Sequence, residues 1–370
     1  MVLLGPTLMA GPLDKSAIRG IYVSDETMHQ HHHVLLEPML TRAKEVGINL
    51  LVVDLNRVSP LYAKNLELLK GFGIPFIVRI AIFPGGAQPN AIRGEGAHWH
   101  KKINLVDEAA RLGAGQIQLD YIRYAASQVP SPHNVEDVLE VVRAFKERAL
   151  LHALPLQAAV FGVTSFKPVT SIGQNLPLFA EVVDAICPMV YPSHYEPYVE
   201  HSKHPYQTIA TSLAALREQF GNQALKFKLV PYIEAYNYRY YLGSEQRRKY
   251  IAAEIQATQD QNSDGFIVWS ANNRYSYLFD VLAKSDRYFS EENKKIVMVR
   301  EDKPGEKKIA AEERAATPDT DLLPTAATVQ PAEVIPAPTP EVAQPAEVIP
   351  APIPEVAPPS SPSSSSSPSS

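Results

Sequence analysis

The chain lacks the residues and motifs that identify several common classes of protein. Its 370 residues include one cysteine, Cys187, which excludes an internal disulfide framework and a zinc site built from cysteines. No GxGxxG follows the first apolar run, and there is no P-loop and no GxSxG, so nucleotide binding and serine-hydrolase chemistry have no support. The formal net charge of -5 gives no basic surplus, so we expect no nucleic-acid partner.

Aromatic residues are missing from the last part of the chain. No Phe, Tyr or Trp follows Phe289, and a segment without them cannot build a core that offsets its chain entropy. Residues 331–344 recur almost unchanged as 345–358, and a Ser/Pro run closes the chain. We therefore predict a disordered low-complexity tail over 286–370, with polyproline-II character in its 14-residue repeat. One interpretation is that the tail is a spacer or stalk. The other is that it is a low-complexity segment without a spacer function.

The apolar leader, residues 1–16, is too short for a membrane span, and no Lys or Arg precedes Lys15. It fits the remnant of a signal peptide or an apolar leader without that function. No other segment is apolar enough to cross a membrane, so we expect no membrane span.

Short apolar runs rich in β-branched residues alternate with helical patterns between residues 17 and 285. The predicted strands are 18–23, 49–55, 75–83, 116–122, 156–161, 185–191, 227–233 and 265–269. The predicted helices are 34–46, 61–71, 99–112, 134–153, 174–182, 205–220, 244–260 and 277–284. Glycines 47, 71, 113 and 221 stand where helices commonly end.

Eight strand–helix units in this length predict a (β/α)₈ TIM barrel over residues 17–285. An open doubly wound sheet is the alternative, but it usually has fewer strands and a glycine-rich nucleotide turn. In a TIM barrel the active site lies at the carboxyl ends of the strands. The polar residues at the ends of the predicted strands are therefore the candidate site residues.

The predicted strand ends and their loops carry carboxylates, amides, cations and aromatic rings. This mixture suits a sugar, because rings cover its apolar faces and polar groups bond its hydroxyls. The candidate substrate-binding residues are Asp54, Arg79, Trp99, Arg123, Tyr191, His194, Tyr236, Trp269, Asn272, Asn273 and Arg274. The sequence predicts no cofactor and no metal site; the run His29–His33 cannot converge on one ion and is better explained as a solvated loop.

Glycosidic cleavage needs two carboxyl groups, and Asp120 and Glu234 lie roughly across the predicted barrel mouth from each other. We expect them about 5–10 Å apart, with Asp120 charged beside its arginines and Glu234 acting as a proton donor whose pKa is raised by desolvation. Structural alternatives remain open. Asp120 could serve in an ion pair with Arg79 or Arg123, and Glu234 could be a rim residue.

Other candidates also have structural explanations. Asp54 could cap the following helix, and Tyr191 and His194 could be satisfied polar groups at the edge of the core. The segment 272–274 could latch the end of the barrel instead of contacting a ligand.

Four strings resemble a bacterial family of glycoside-hydrolase-like barrel domains, distantly akin to amylase-type barrels. They are QLDYIRY at 118–124, VFG at 160–162, PMVYPSHY at 188–195 and WSANNRY at 269–275. The third is the most specific. The resemblance covers about residues 17–280 and implies a (β/α)₈ fold, action on polysaccharide and frequent export signals. We therefore expect an exported or cell-envelope location in preference to a cytoplasmic one.

The chain departs from the pattern of this family at three positions. Ala159 replaces an acid in the fifth strand, Asn56 replaces a lysine after Asp54, and Ala235 replaces an acid after the seventh strand. The sequence thus supports a glycoside hydrolase that acts on an extracellular or envelope polysaccharide through Asp120 and Glu234. The alternative is a catalytically inactive barrel that binds glycan.

Overall fold

The computed structural model describes residues 17–31, 34–93, 98–221 and 223–301. The predicted leader, and the tail beyond Glu301, lie outside these residues. Each of the eight apolar runs contains a strand, and the seventh run is divided in two. The strands are β1 (Ile18–Val23), β2 (Leu50–Asp54), β3 (Phe76–Ala81), β4 (Ile117–Asp120), β5 (Leu156–Phe161), β6 (Ala185–Met189), β7 (Lys228–Leu229), β8 (Tyr232–Glu234) and β9 (Gly265–Trp269).

The strands form a closed parallel barrel, as the sequence predicts. Each strand from β1 to β5 pairs with the next, β6 pairs with β5 and with both β7 and β8, and β9 joins β8 to β1. The seventh predicted strand divides into β7 and β8 near Pro231, which has no backbone N–H to donate to a neighbouring strand. Its carbonyl still accepts from Ile267 of β9, so the wall remains continuous.

Helices surround the barrel and follow the predicted order. They are α1 (Asp25–Met28), α2 (Leu36–Glu45), α3 (Pro60–Gly71), α4 (Pro89–Arg93), α5 (His98–Lys102), α6 (Asn104–Arg111), α7 (Pro132–Leu150), α8 (Leu176–Phe179), α9 (Tyr198–Lys203), α10 (Pro205–Glu218), α11 (Ser244–Asp260), α12 (Ser276–Ala283) and α13 (Ser285–Tyr288). Ser59 and Ser131 cap α3 and α7, each before a proline at the first helical position. Short 3₁₀ turns cover Gly162–Ser165, Pro192–His194 and Asn293–Lys295.

Alternation along the strands separates an inner core from an outer one. In β2, Val52 faces an inner cluster that also contains Ala159, Cys187 and Tyr232, whereas Val53 packs in the larger core between sheet and helices. Polar side chains enter the interior beside this cluster: the Tyr232 hydroxyl donates to Gln118, which donates to Gln157. The barrel is therefore filled, and the positions open to a ligand are at its ends.

The fold continues beyond the predicted domain boundary at residue 285. Met298 is buried against Leu242 and Tyr250, and the backbone N–H groups of Met298 and Glu301 bond carbonyls of Lys203 and Tyr241. The first part of the predicted tail, residues 286–301, is thus packed on the barrel. Loss of aromatic residues after Phe289 is a poor marker of this boundary, because Met298, the hydrogen bonds of Asn293 and these backbone bonds fix the rest of the segment.

Candidate active site

Arg79 holds two carboxylates together at the carboxyl ends of β2, β3 and β4. Its Nε and Nη2 donate to Oδ2 of Asp120 at 3.0 and 2.6 Å, and its Nη1 donates to Oδ1 of Asp54. The parallel register places Asp54 beside Arg79, and Asp120 two residues beyond the partner of Arg79 on β4. All three side chains are buried or nearly so. We call Asp54, Arg79 and Asp120 the carboxylate cluster.

Further donors bond the two acids of the cluster. The Tyr22 hydroxyl donates to Oδ2 of Asp54 at 2.5 Å, and the backbone N–H of Tyr121 donates to Oδ1 of Asp120 at 2.5 Å. Burial would lower the pKa of Arg79, but Asp54 and Asp120 outweigh burial and raise that pKa well above its ordinary value. The guanidinium is therefore a permanent cation, and it fixes the orientation of both carboxylates.

The backbone immediately after Asp120 is strained. Tyr121 has a φ of 53°, a left-handed conformation that an aromatic residue rarely adopts. The turn places its half-buried ring near both Arg79 and Arg123, with the guanidinium carbons 5.9 and 5.8 Å from the ring centre. Strain of this kind concentrates at functional sites.

Aromatic rings extend the cluster along the mouth of the barrel. The rings of Tyr22 and Trp269 are 4.1 Å apart, and Arg79 lies 5.5 Å from the centre of the Trp269 ring. Burial raises the pKa of Tyr238 to about 12, while hydrogen bonds with Tyr236 and Trp269 act in the opposite direction. Tyr236 and Tyr238 are 4.0 Å apart and share a hydroxyl–hydroxyl hydrogen bond. Trp269 is partly exposed, so this row offers ring surface to a ligand.

Tyr191 and His194 continue this row, and the name aromatic wall is used below for Tyr22, Trp269, Tyr236, Tyr238, Tyr191 and His194. The His194 ring lies 5.3 Å from Tyr191 and 5.0 Å from Tyr238. Burial and the nearby Arg239 cation lower the pKa of His194 to about 4, so its imidazole is neutral at neutral pH. Tyr191 also belongs to the inner cluster.

Glu234 lies in an environment different from that of Asp120. Its carboxyl group is fully buried and accepts hydrogen bonds from Ser193 N at 2.9 Å, Ser193 Oγ at 2.7 Å and the Tyr250 hydroxyl at 2.5 Å. Burial, opposed by these donors, raises the pKa of Glu234 to about 7. Among the described residues, no hydrogen bond or ion pair joins Glu234 to the carboxylate cluster.

A second buried glutamate, Glu254 of α11, lies beside the first. Its Oε1 accepts from the backbone N–H of Glu234 at 3.3 Å, and its Oε2 has no partner among the described residues. Burial and then the Glu234 charge raise the pKa of Glu254 well above its ordinary value. Sequence reasoning missed Glu254, Tyr250 and Ser193; a glutamate amid the buried positions of an otherwise polar helix was the available signal.

The structure places the remaining predicted residues in three settings. Trp99 is buried in the helical layer, where its ring lies 6.5 Å from Phe145 and its indole N–H donates to the Ile92 carbonyl, so it is not part of the aromatic wall. Asn273 is a buried latch: its side chain accepts from Ser24 N and donates to Tyr22 O. Asn272 and Arg274 are exposed.

Arg123 is buried beside the cluster without joining it. Its Nη1 donates to Tyr124 O at 2.9 Å, and its guanidinium lies 4.6 Å from the centre of the Phe161 ring. The predicted ion pair of Asp120 therefore forms with Arg79 and not with Arg123. Sequence reasoning also missed Tyr22 and Tyr238, because nothing in the sequence distinguishes them from other strand and loop tyrosines.

Among the described residues, no group of three or more His, Cys, Asp or Glu side chains could hold a metal ion. The part of the chain that the structure describes also contains no helix long and apolar enough to cross a membrane.

The barrel is similar to several solved glycoside hydrolase structures. The PgaB (BpsB) glycoside hydrolase domain from Bordetella bronchiseptica is 12% identical with a TM-score of 0.52, and the match covers 72% of this chain and 98% of that one. A chitinase from Chromobacterium violaceum is 13% identical with a TM-score of 0.52, and the match covers 72% of this chain and 98% of the chitinase chain. The spore cortex-lytic enzyme SleL from Bacillus megaterium is 14% identical with a TM-score of 0.52, and the match covers 72% of this chain and 73% of the SleL chain. At such identities these likenesses show the fold alone.

No curated protein sequence matches this chain. Residues 94–275, however, match a family described as "Putative glycosyl hydrolase domain". This segment includes Asp120, Glu234 and the aromatic wall except Tyr22, whereas Asp54 and Arg79 precede it. The resemblance seen in the sequence is thus confirmed: residues 94–275 of this barrel are similar to a family of glycosyl-hydrolase domains.

Proposed function

We propose that this protein is a glycoside hydrolase that acts on an extracellular or cell-envelope polysaccharide. The observation that carries the proposal is the carboxylate cluster at the barrel mouth, where Arg79 orients Asp120 and Asp54 beside the partly exposed Trp269. Carboxylates beside aromatic ring surface are what cleavage of a glycosidic bond requires. The proposed location is outside the cytoplasm or in the envelope.

Asp120 is the first catalytic carboxylate in this proposal. Two charge-assisted hydrogen bonds from Arg79 hold it in one orientation, which suits a group that must face a sugar carbon or an activated water. Its partner must deliver a proton to the leaving oxygen.

Glu234 is the proposed proton donor. A carboxyl group with a pKa of about 7 retains its proton near neutral pH and can still release it, as a general acid must. Its complete burial behind Ser193 and Tyr250 requires that these contacts open when substrate binds. Asp54 is the competing second carboxylate, because it already shares Arg79 with Asp120.

A panel of polysaccharides tests the proposal through release of reducing ends. We expect turnover on at least one glycan, loss of at least about a thousandfold in Asp120→Asn, and a comparable loss in the variant that removes the second carboxylate. Glu234→Gln and Asp54→Asn identify which acid that is. Turnover of Asp120→Asn at the wild-type rate would exclude the mechanism.

A catalytically inactive glycan-binding barrel is the second candidate, and Ala159 is the observation in its favour. This residue occupies the place of the acid in related sequences, and here it is fully buried in the apolar inner cluster with Cys187 and Tyr191. Glycan binding without release of reducing ends across the panel would favour this candidate.

A further inference from the structure

Arg123 is a buried cation without a carboxylate partner. The residue is 1% exposed, and among the described residues it forms no salt bridge. Its Nε has no hydrogen-bond acceptor in the part of the chain that the structure describes, so one strong donor is left unsatisfied there. Burial lowers the pKa of Arg123, which reflects the cost of keeping this charge out of water. An unsatisfied buried donor in a native structure calls for an explanation, and an absent ligand is one.

The acids nearest to Arg123 are already occupied. Asp120 acts on it electrostatically, but both oxygens of Asp120 accept hydrogen bonds, from Arg79 and from Tyr121 N. Asp54 is likewise bonded to Arg79 and to Tyr22. Both acids are therefore held by other donors, and among the described residues neither forms a salt bridge with Arg123.

The surroundings hold the guanidinium at the mouth of the barrel. It lies over the ring of Phe161 at the end of β5 and near the ring of Tyr121 after β4, and both rings are partly exposed. Gly86 has a φ of +96°, and a Cβ there would lie 2.5 Å from Nη1 of Arg123. The loop thus needs glycine to make room for this arginine, and two partly exposed rings lie against its guanidinium.

We propose that Arg123 binds a carboxylate of the glycan, so that the substrate class is an acidic polysaccharide. A guanidinium is planar and bonds a carboxylate through two parallel hydrogen bonds, which would satisfy the free Nε. Exposed arginines at the same end, Arg57 after β2 and Arg274 after β9, form no salt bridge with any described residue and favour an anionic chain over a neutral one. This inference rests on the proposed function and names its substrate.

Calorimetric titration with matched glycans tests the inference on the full chain. Each pair consists of an acidic oligosaccharide and the same oligosaccharide with its carboxyl groups reduced to alcohols. One pair carries the carboxylate on the sugar ring, as in a uronate, and another carries it on an ether-linked lactate, so the two sources of the group are separated. We expect wild-type protein to bind the acidic member of one pair at least about tenfold more tightly.

Variants of Arg123 then show whether this residue causes the preference for the acidic glycan. Arg123→Gln should remove the tenfold preference while leaving the affinity for the reduced member unchanged, and Arg123→Lys should retain part of it. Arg111→Gln, which removes the same charge from the surface of α6, should behave as wild type. If Arg123→Gln does not fold, Arg123→Lys takes its place, because lysine keeps the charge but cannot form the two parallel hydrogen bonds; a full acidic preference in Arg123→Lys would then overturn the assignment to Arg123.

Equal affinity of wild-type protein for both members of every pair would overturn the inference. So would a preference for the acidic member that persists in Arg123→Gln. Turnover or binding of neutral glycans alone would refute the acidic substrate while leaving the proposed function intact, whereas binding of no glycan would refute both.

Discussion

Arg79 is the residue on which the mouth of the barrel most depends. It is 5% exposed and pairs with two carboxylates, so removing it would leave two buried charges without a cation. Breaking a buried ion pair by deleting one partner usually costs far more than the pair contributes as a whole.

We therefore expect Arg79→Met to lower the free energy of unfolding by about 3–5 kcal/mol, measured by urea denaturation at pH 7. The matched control is Arg148→Met, which breaks a partly exposed pair with Asp107 in the helical layer and should cost about 1 kcal/mol or less. Equal losses in the two variants would show that the cluster is not a buried electrostatic unit.

Glu234 makes stability depend on pH in a defined direction. The pKa of this carboxyl group is near 4.5 in the unfolded chain and about 7 in the folded one, so the folded state holds its proton where the unfolded state has lost it. Stability from this group is complete below about pH 4.5 and falls as pH rises to about 7. Glu254 acts in the same direction, because burial also raises its pKa.

Glu234→Gln should flatten this dependence. Between about pH 4.5 and 7 the wild-type protein should lose on the order of 3 kcal/mol relative to the variant, measured as the difference between their urea-unfolding free energies at each pH. A constant difference across this range would show that Glu234 titrates as an ordinary exposed carboxylate.

The polar residues at the strand ends could be predicted only in part from the sequence. The order of strands and the rule that barrel chemistry lies at their carboxyl ends brought Asp54, Arg79, Asp120 and Trp269 to one place. Which acid Arg79 contacts depends on register and side-chain direction, and these come from the packing of the whole barrel. Glu234 shows the limit most clearly, because its partners Tyr250 and Ser193 lie on two other elements, 16 and 41 residues away in the sequence.

Among the elements, α5 and β9 show why two residues of one type can differ in role. Both tryptophans follow or end predicted strands. Trp99 belongs to a helix that packs on α7, whereas Trp269 ends a strand and remains partly exposed at the mouth. A sequence assigns a residue to an element, but it does not settle which neighbour the side chain meets.

Substitution of the two tryptophans should therefore separate stability from binding. Trp99→Ala should lower the free energy of unfolding by about 3–5 kcal/mol, since it empties a buried site. Trp269→Ala should cost much less stability but weaken glycan affinity, as read by calorimetry. The assignment fails if Trp99→Ala weakens glycan binding while its melting temperature is unchanged.

The whole chain was easier to interpret than its parts because the strand–helix unit repeats eight times. An error of a few residues at any one boundary does not change the number of units, so the closed barrel followed from the sequence. The predicted boundary at residue 285 had no such redundancy. Met298, in a segment without aromatic residues, packs against Leu242 and Tyr250 beside the buried Glu234.

Two truncations test where the folded unit ends. A chain ending at Glu301 should keep the melting temperature and glycan affinity of the full chain. A chain ending at Phe289 should melt several degrees lower, because it loses Met298 and the hydrogen bonds of Asn293 to α11. Loss of glycan affinity in the chain ending at Glu301 would show that the tail takes part in binding and is more than a spacer.

The most direct test of the account measures binding and turnover together on one glycan. Wild-type protein, Asp120→Asn and the control Asp107→Asn, which alters an acid in the helical layer, are compared by calorimetry and by reducing-end release. We predict that Asp120→Asn binds the glycan with affinity similar to that of wild-type protein yet releases no measurable product, while Asp107→Asn does both. Product release by Asp120→Asn at the wild-type rate would contradict the central claim that this carboxylate carries the chemistry.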